Sequence, residues 1–360
     1  MNWIVADQFE SLFKYDTPFI DVRAPIESIK GTFPTSFNLP ILNNDERARV
    51  GTEYKRNGKS AAIELGYQLI QGETKEERVR SWISFFQKYK ESCLYCFRGG
   101  LRSKISAEWL LEQGISIPVI EGGYKALRRF LLKVISDLKP EKFRILSGMT
   151  GVGKTEVIRL YSNAIDLEKL ANHRGSSFGN YVSSQPSQAS FENSLAIQLI
   201  KLSESTDILL EDESRLIGKC YIPIELQTAM RQAPVIVIEE VFEERIERIY
   251  QEYIIRMITD FQTEYPSSWK DHFELYLMNS LLKMKKRLGN ESYYDISRLI
   301  QYALKGSFFE NKHEQHYEWI SLLLINYYDP MYRYQIAKKA QRIVHKGNLE
   351  SVKAYLKVFE

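Results

Sequence analysis

The sequence predicts an α/β protein: two parallel-sheet domains followed by a helical C-terminal subdomain. Three observations predict it. Short apolar runs alternate with amphipathic helical stretches over about the first 135 residues. A glycine-rich loop, Gly148-Met149-Thr150-Gly151-Val152-Gly153-Lys154-Thr155, then separates a strand from a helix and opens a second series of apolar strands. After about Glu243 the strand pattern all but stops, and charged, Tyr-rich helical stretches run to the C-terminus. The domains are expected at 1–138, 139–250 and 251–360, the last packed on the second.

In order, Phe19-Ile20-Asp21-Val22 is an apolar run ending in charge, as a buried parallel strand is. Ser28 to Pro40, with two prolines and a glycine, reads as loop. From Glu76 to Lys90, Val79, Trp82, Ile83, Phe86 and Tyr89 recur at helical spacing. Cys93 to Cys96 is the next strand, and a helix from Ser103 to Gln113 is closed by Gly114. Ile117-Pro118-Val119-Ile120 is a strand, and Tyr124 to Leu138 a helix ended by Pro140. Beyond the hinge Lys139-Pro140-Glu141-Lys142, strands are expected at 143–146, 164–167, 207–210 and 235–238.

The chain has 360 residues, 26% charged and 44% hydrophobic, the balance of a soluble globular protein with more than one core. Its net charge of +3 is too small to identify a nucleic-acid partner; only local clustering of basic residues would. The N-terminus carries no signal-peptide pattern, and no run approaches the ~18 apolar residues of a membrane span. Three cysteines, few and odd in number, suit a reducing compartment and a chemical role for at least one thiol. The expected location is the cytoplasm, with no membrane partner.

Cys96 stands at the C-terminal end of a strand, ahead of Phe97-Arg98-Gly99-Gly100-Leu101-Arg102-Ser103. A glycine turn leading into a helix presents backbone N–H groups to a negative charge, which favours a thiolate. Gly99 and Gly100 let the backbone curl, Arg98 and Arg102 add positive charge, and Ser103 is the expected N-cap. Cys96 is the candidate nucleophile, and Cys93 reads as core packing. The pair is formally C-x-x-C, but residues three apart on a strand point to opposite faces, which disfavours a redox dithiol.

The second loop fits G-x-x-x-x-G-K-[ST] with a strand before it and a helix after it. Gly148, Gly151 and Gly153 allow the backbone to cradle phosphates, Lys154 supplies a point charge, and Thr155 could take Mg²⁺. The strand Ile208-Leu209-Leu210 ends in Glu211-Asp212-Glu213, a carboxylate cluster suited to base or metal work, with Asp212 the chosen candidate. His173 and Arg174 lie in a polar, glycine-containing loop after another strand and are candidate diphosphate ligands. No metal set and no tightly bound cofactor is assigned beyond this.

The first domain resembles the rhodanese family of sulfurtransferases, through Asp21-Val22-Arg23, Glu27, Asn38-Leu39-Pro40, Cys96 with Arg102-Ser103, and Glu121-Gly122-Gly123. The resemblance adds Asp21 and Arg23 to the anion loop. Two departures matter. Gly31-Thr32-Phe33-Pro34-Thr35 lacks the family's usual histidine, and the loop reads C-x5-R, one residue longer than in most sulfur-transferring rhodaneses. A wider loop suits a larger tetrahedral oxyanion.

The fusion with a phosphate-loop domain carrying Leu170-Ala171-Asn172-His173-Arg174-Gly175-Ser176-Ser177-Phe178-Gly179 is similar to the tRNA 2-selenouridine synthases. Ala48 to Lys55, Gln185-Pro186-Ser187-Gln188 with Phe191-Glu192-Asn193, and Glu211-Asp212-Glu213-Ser214 with Ile217-Gly218 extend the likeness. The resemblance implies two reactions on wobble 2-thiouridine in tRNA: S-geranylation by geranyl diphosphate, then replacement of the geranylthio group by selenium from selenophosphate. The phosphate loop would hold the leaving diphosphate, and the Cys96 loop the selenium donor. The enzyme supplying selenophosphate is a further candidate partner. tRNA needs basic surface, expected at Lys283, Lys285, Lys286 and Arg287, and on a helix carrying Lys338, Lys339, Arg342 and Lys346. Rival readings are an ATP-dependent rhodanese-type sulfurtransferase with a persulfide on Cys96, and a nucleotide-switched RNA-binding module. A cysteine phosphatase is disfavoured because Tyr95 stands where those enzymes place histidine.

Overall fold

A computed structural model describes residues 2–310 and 312–359. The chain forms two compact units: Met1–Asp137 with Ser187–Ser203, and Leu138–Pro186 with Glu204–Glu360. Both are mixed α/β with parallel sheets. Among the described residues no helix is long and apolar enough to cross a membrane.

The first unit holds strands β1 (Trp3–Ile4), β2 (Phe19–Asp21), β3 (Ser36–Asn38), β4 (Cys93–Tyr95) and β5 (Val119–Ile120). They form a five-stranded sheet ordered β1-β5-β4-β2-β3, every neighbouring pair parallel. Every residue of β2 and β4 is buried, because helices cover both faces, so both strands read as unbroken apolar runs. On one face Trp82 stacks on Trp109, their ring centroids 6.2 Å apart. On the other, Phe13, Phe19, Phe33 and Tyr95 form an aromatic cluster. The register pairs Phe19 with Cys93 and Asp21 with Tyr95, so Val22 and Cys96 emerge from one end of the sheet.

Three features of this unit depart from expectation. The helix Gln188–Lys201, expected in the second domain, is part of the first unit. It is capped by the Ser187 side chain, buries Phe191, Leu195 and Ile197, and is held by Asn193 donating to Thr32 O at 2.8 Å. Next, the segment around Ala48 to Lys55 belongs to a 26-residue helix, Asn44–Leu69, with Asn43 and Glu46 closing a capping box and Gly58 (φ 85°) kinking it. It buries only Ala62, so no apolar stripe announced it. Last, β1 and β3 are too short to show any periodicity.

The second unit holds β6 (Phe143–Gly148), β7 (Ala164–Ile165), β8 (Ile208–Glu211), the hairpin strands β9 (Leu216–Ile217) and β10 (Cys220–Tyr221), β11 (Val235–Ile238) and β12 (Ile343–Gly347). Its main sheet is ordered β12-β11-β6-β8-β7 and is parallel throughout. β12 corrects the expectation that everything after about Glu243 is helical. It pairs with β11 as an edge strand, Val237 opposite Lys346, and its residues alternate between partial burial and exposure. The expected helix through 338–346 therefore does not exist; the helix Asp329–Ala337 stops before it. The remaining C-terminal helices pack around Ile254, Met257, Phe273, Leu277, Ile300 and Trp319. Among the described residues three π-helical turns interrupt them, one at Gly306–Glu310 and the two that bear on this unit's site at Gln251–Ile255 and Leu324–Tyr328.

Candidate functional site

Each unit presents a site at the C-terminal ends of its parallel strands. In the first, Cys96 directly follows β4 and is 3% exposed. Its carbonyl accepts from Tyr124 N at 2.9 Å, and the Phe97 carbonyl from Lys125 N at 3.0 Å. The loop thus lies on the turn Glu121-Gly122-Gly123. Glycine is required there: a Cβ on Gly123 (φ +57°) would stand 2.2 Å from Cys96 O and 2.5 Å from Gly99 N. Burial pushes the Cys93 thiol up to about 12, leaving it unreactive at neutral pH. All three cysteines are free.

The basic residues around this loop play different parts from those expected. The helix begins at Leu101 with Gly100 as its cap, so Ser103 is not the N-cap. It sits inside the helix, fully buried, its hydroxyl without a partner. Arg23 is 1% exposed and locked to Asp21, with Nη2 to Oδ2 at 2.6 Å, while also donating to Gly31 O at 2.8 Å and stacking on Tyr124. Asp21 and Arg23 are therefore a buried strut, not anion ligands. Arg102 binds Glu27 through both terminal nitrogens, at 2.5 and 3.1 Å. Burial pushes Glu27 up, but this pairing outweighs it and holds the carboxyl below its usual range. Arg98 alone remains exposed, beside Phe97.

In the second unit, Gly148 ends β6 and the phosphate loop follows. Gly151 (φ +81°) lies against the helix Phe242–Tyr250, where a Cβ would meet Arg245 O at 2.6 Å. Lys154 Nζ donates to Gly148 O and Met149 O, at 3.0 and 3.2 Å. Arg245 Nε donates to Thr150 O at 2.8 Å and its guanidinium forms a buried pair with Asp329. Arg248 Nη1 donates to Gly151 O at 3.3 Å. Neither arginine was anticipated, although their i,i+3 spacing on the first helix after a parallel strand is a visible signal.

The loop, with Thr155, lines a cavity of about 780 Å³. Arg174, Arg248, Arg287 and the carboxylates Glu168, Asp212 and Glu213 line it too, with Tyr253, Tyr327, Tyr328 and Tyr332. The two π-helical turns supply three of these tyrosines. Arg174 is 7% exposed and lies between the rings of Tyr181 and Tyr253, 4.1 and 5.0 Å from their centroids. Its Nη1 contacts Met257 Sδ, and its Nη2 has no partner. Burial first, then Glu213, pushes Glu168 up to about 8; burial likewise takes Glu213 to about 7. An apolar cleft adjoins the cavity, sharing Thr150, Ser176, Ile249, Tyr253 and Tyr328 and adding Phe178, Trp319, Ile320, Leu323 and Leu324.

Other candidates move. His173 is not a ligand of this cavity. Its Nδ1 accepts from Gly175 N at 3.1 Å, and its ring is wedged where a Cβ on Gly179 or Gly218 would clash. Burial, then Lys283 and Arg174, lowers it to about 4, so it is a neutral scaffold that shapes the Arg174 loop. Asp212 is tied to Lys339 and to Ser147. Among the described residues no three His, Cys, Asp or Glu side chains are grouped to hold a metal. The basic clusters divide. Lys339 is spent on Asp212, and Arg342 Nη1 donates to Ala233 O at 2.6 Å and Met230 O at 3.2 Å, so these two are structural. Lys338 is exposed over Tyr334, and Lys286 is exposed. Lys285 lies against Tyr293 and Tyr294, and Arg287 bonds Tyr327 Oη at 3.1 Å on the cavity wall.

A family model described as the tRNA 2-selenouridine synthase AAA domain matches residues 141–360. The tRNA 2-selenouridine synthase of Shewanella halifaxensis (strain HAW-EB4) is 45% identical, over 99% of this chain and 99% of the relative. That of Marinobacter nauticus (strain ATCC 700491 / DSM 11845 / VT8) is 43% identical over 96% of this chain and 95% of its own. Among solved structures, an N-terminal domain from Clostridium difficile 630 is 31% identical, covering 32% of this chain and 90% of that one, with a TM-score of 0.29.

Proposed function

Because the chain belongs to the tRNA 2-selenouridine synthase family, we propose that it modifies the wobble uridine of tRNA in two steps, one at each site. In the second unit, the sulfur of 2-thiouridine attacks C1 of geranyl diphosphate, and diphosphate leaves into the phosphate loop. At the Cys96 loop of the rhodanese-like first unit, selenophosphate is held as a tetrahedral oxyanion; its selenium bonds to C2 as the C2–S bond breaks and geranylthiolate leaves, and water then cleaves the P–Se bond to release phosphate.

The observation that carries the first step is the junction of two surfaces. A phosphate cradle with Lys154 and the unpartnered Arg174 Nη2 opens beside a cleft lined by Phe178, Trp319, Ile320, Leu323 and Leu324. An anionic head fits the cradle, and a short apolar tail would lie at the mouth of the apolar cleft, whose open volume of about 30 Å³ would have to widen to admit it. The loop's role is then to stabilise charge developing on a leaving diphosphate.

The test is mass analysis of tRNA nucleosides after incubation with geranyl diphosphate and then with selenophosphate. Lys154→Ala is expected to slow geranylation about 100-fold, the scale of losing one positioned charge on a leaving oxyanion. Cys96→Ala is expected to leave S-geranyl-2-thiouridine accumulating without 2-selenouridine. Equal loss of both steps in Cys96→Ala would sink the division of labour.

A further inference from the structure

Alkylation of a thiocarbonyl base leaves a proton to be removed. In 2-thiouridine, N3 carries hydrogen and C2 carries sulfur. As sulfur bonds to C1 of the prenyl donor, the C1–O bond breaks and its electron pair departs with diphosphate. The N3–H proton must then be lost to give the neutral S-alkylated base. The phosphate loop cannot take it, since backbone N–H groups and the Lys154 ammonium only donate.

The cavity wall opposite Lys154 holds an acceptor. Glu168 follows β7 at the start of a short helix, and its backbone N donates to Glu211 Oε2 at 3.2 Å. Its carboxyl and that of Glu213 converge on Gly175, where a Cβ would stand 3.0 Å from Glu168 Oε1 and 2.8 Å from Glu213 Oε2. The two carboxyls therefore face each other across Gly175, where ionising both at once is disfavoured. Both line the cavity. Glu213, Asp166 and Glu252 face Glu168 as like charges and Lys154 as the opposite one. A separate sign marks the same wall as a ligand surface: Arg174 lines it, nine-tenths buried, with Nη2 lacking any partner.

We propose that Glu168, positioned by Glu213, accepts the N3–H proton of the target base as its sulfur is alkylated. The proposal rests on the prenyl-transfer reading above. The carboxyl, held by burial and by Glu213 at about 8, sits near the range in which a base must work at cellular pH.

The test follows single-turnover alkylation of a 2-thiouridine anticodon stem-loop by the full-length protein with geranyl diphosphate, from pH 6 to pH 10. Glu168→Gln is expected to slow the reaction roughly 100-fold or more at pH 7. It should leave geranyl diphosphate binding, read by calorimetry, within about threefold of the parent. The deficit should close at high pH, where the base ionises without help. Glu168→Asp keeps the carboxyl and should recover part of the rate, so the test stands even if the glutamine variant folds poorly. Glu168→Gln reacting at the parent rate, or slowed equally at every pH with binding lost, would overturn the proposal. An unsubstituted protein that transfers no geranyl group would overturn the prenyl-transfer reading as well, a result distinct from either.

Discussion

Single residues show how burial decides protonation. His316 is fully buried, with Nδ1 accepting from Trp319 Nε1 at 2.8 Å and Nε2 placed 3.1 Å from Ser307 Oγ. Burial lowers it from 6.5 to about 3, so the folded ring is neutral. As pH falls, the unfolded chain takes up the proton first. The stability this ring contributes is whole above pH 6.5 and is lost as pH drops toward 3. At pH 5 the loss is about 2 kcal/mol, and His173 acts in the same direction. Glu168 and Glu213, raised to about 8 and 7, act in the opposite direction over the same interval, so the test is a difference: His316→Gln, which cannot charge, should lose less Tm, or gain more, than the parent between pH 7 and pH 5. Parallel Tm–pH curves for the two proteins would refute the account. His316 was not legible beforehand, because nothing local separates a buried histidine from a solvated one. His173 was noticed for its neighbours Arg174 and Gly175, which line the cavity while the histidine does not.

Elements were legible where burial was symmetrical. The runs ending at Val22, Cys96, Leu146 and Ile238 fall on strands, within two residues at their ends, because strands covered on both faces are largely apolar. β12 stayed hidden because an edge strand with alternating exposure imitates the polar face of a helix. The candidate site divides the same way. Both glycine loops were visible as motifs, and Arg174 and Asp212 stood among the candidates, but Glu168, Arg245, Arg248 and the tyrosines of the cavity did not. Arg245 reaches Asp329 from 84 residues away and holds Thr150 in place between them. Removing one partner of such a buried pair costs about 3–5 kcal/mol. Asp329→Ala is therefore expected to lower the denaturant midpoint and, in protein that remains folded, to weaken geranyl diphosphate binding through a loosened phosphate loop. Unchanged binding would mean that the loop holds its shape without this brace.

At the scale of the whole molecule, the net charge of +3 conceals a sorting of the basic residues. Lys339 and Arg342 hold the fold together, whereas Arg287 lines the cavity and Lys285 and Lys286 precede that arginine on the same short helix. Aromatic rings interleaved with cations suit a looped single strand, whose bases stack while its phosphates are neutralised. Reversing the charge of the second group is expected to weaken tRNA binding by about tenfold or more at low salt and to flatten its dependence on salt concentration. Reversal at Arg342 should instead lower the melting temperature. Equal tRNA affinity in the triple variant at low ionic strength would remove this surface from the account.

The helix Gln188–Lys201 sets a timetable for the ribosome. The first unit spans Met1–Asp137 yet closes with Ser187–Ser203, so its final piece is synthesised only after β6, β7 and the phosphate loop have been made. Until Ser203 clears the exit tunnel, the nascent chain carries an unfinished first unit, missing the helix that brings Phe191, Leu195 and Ile197. A gene fragment ending at the hinge would inherit that defect permanently. The two units are thus interlaced in the order of their making, which keeps recombination from exchanging either one as a separate cassette.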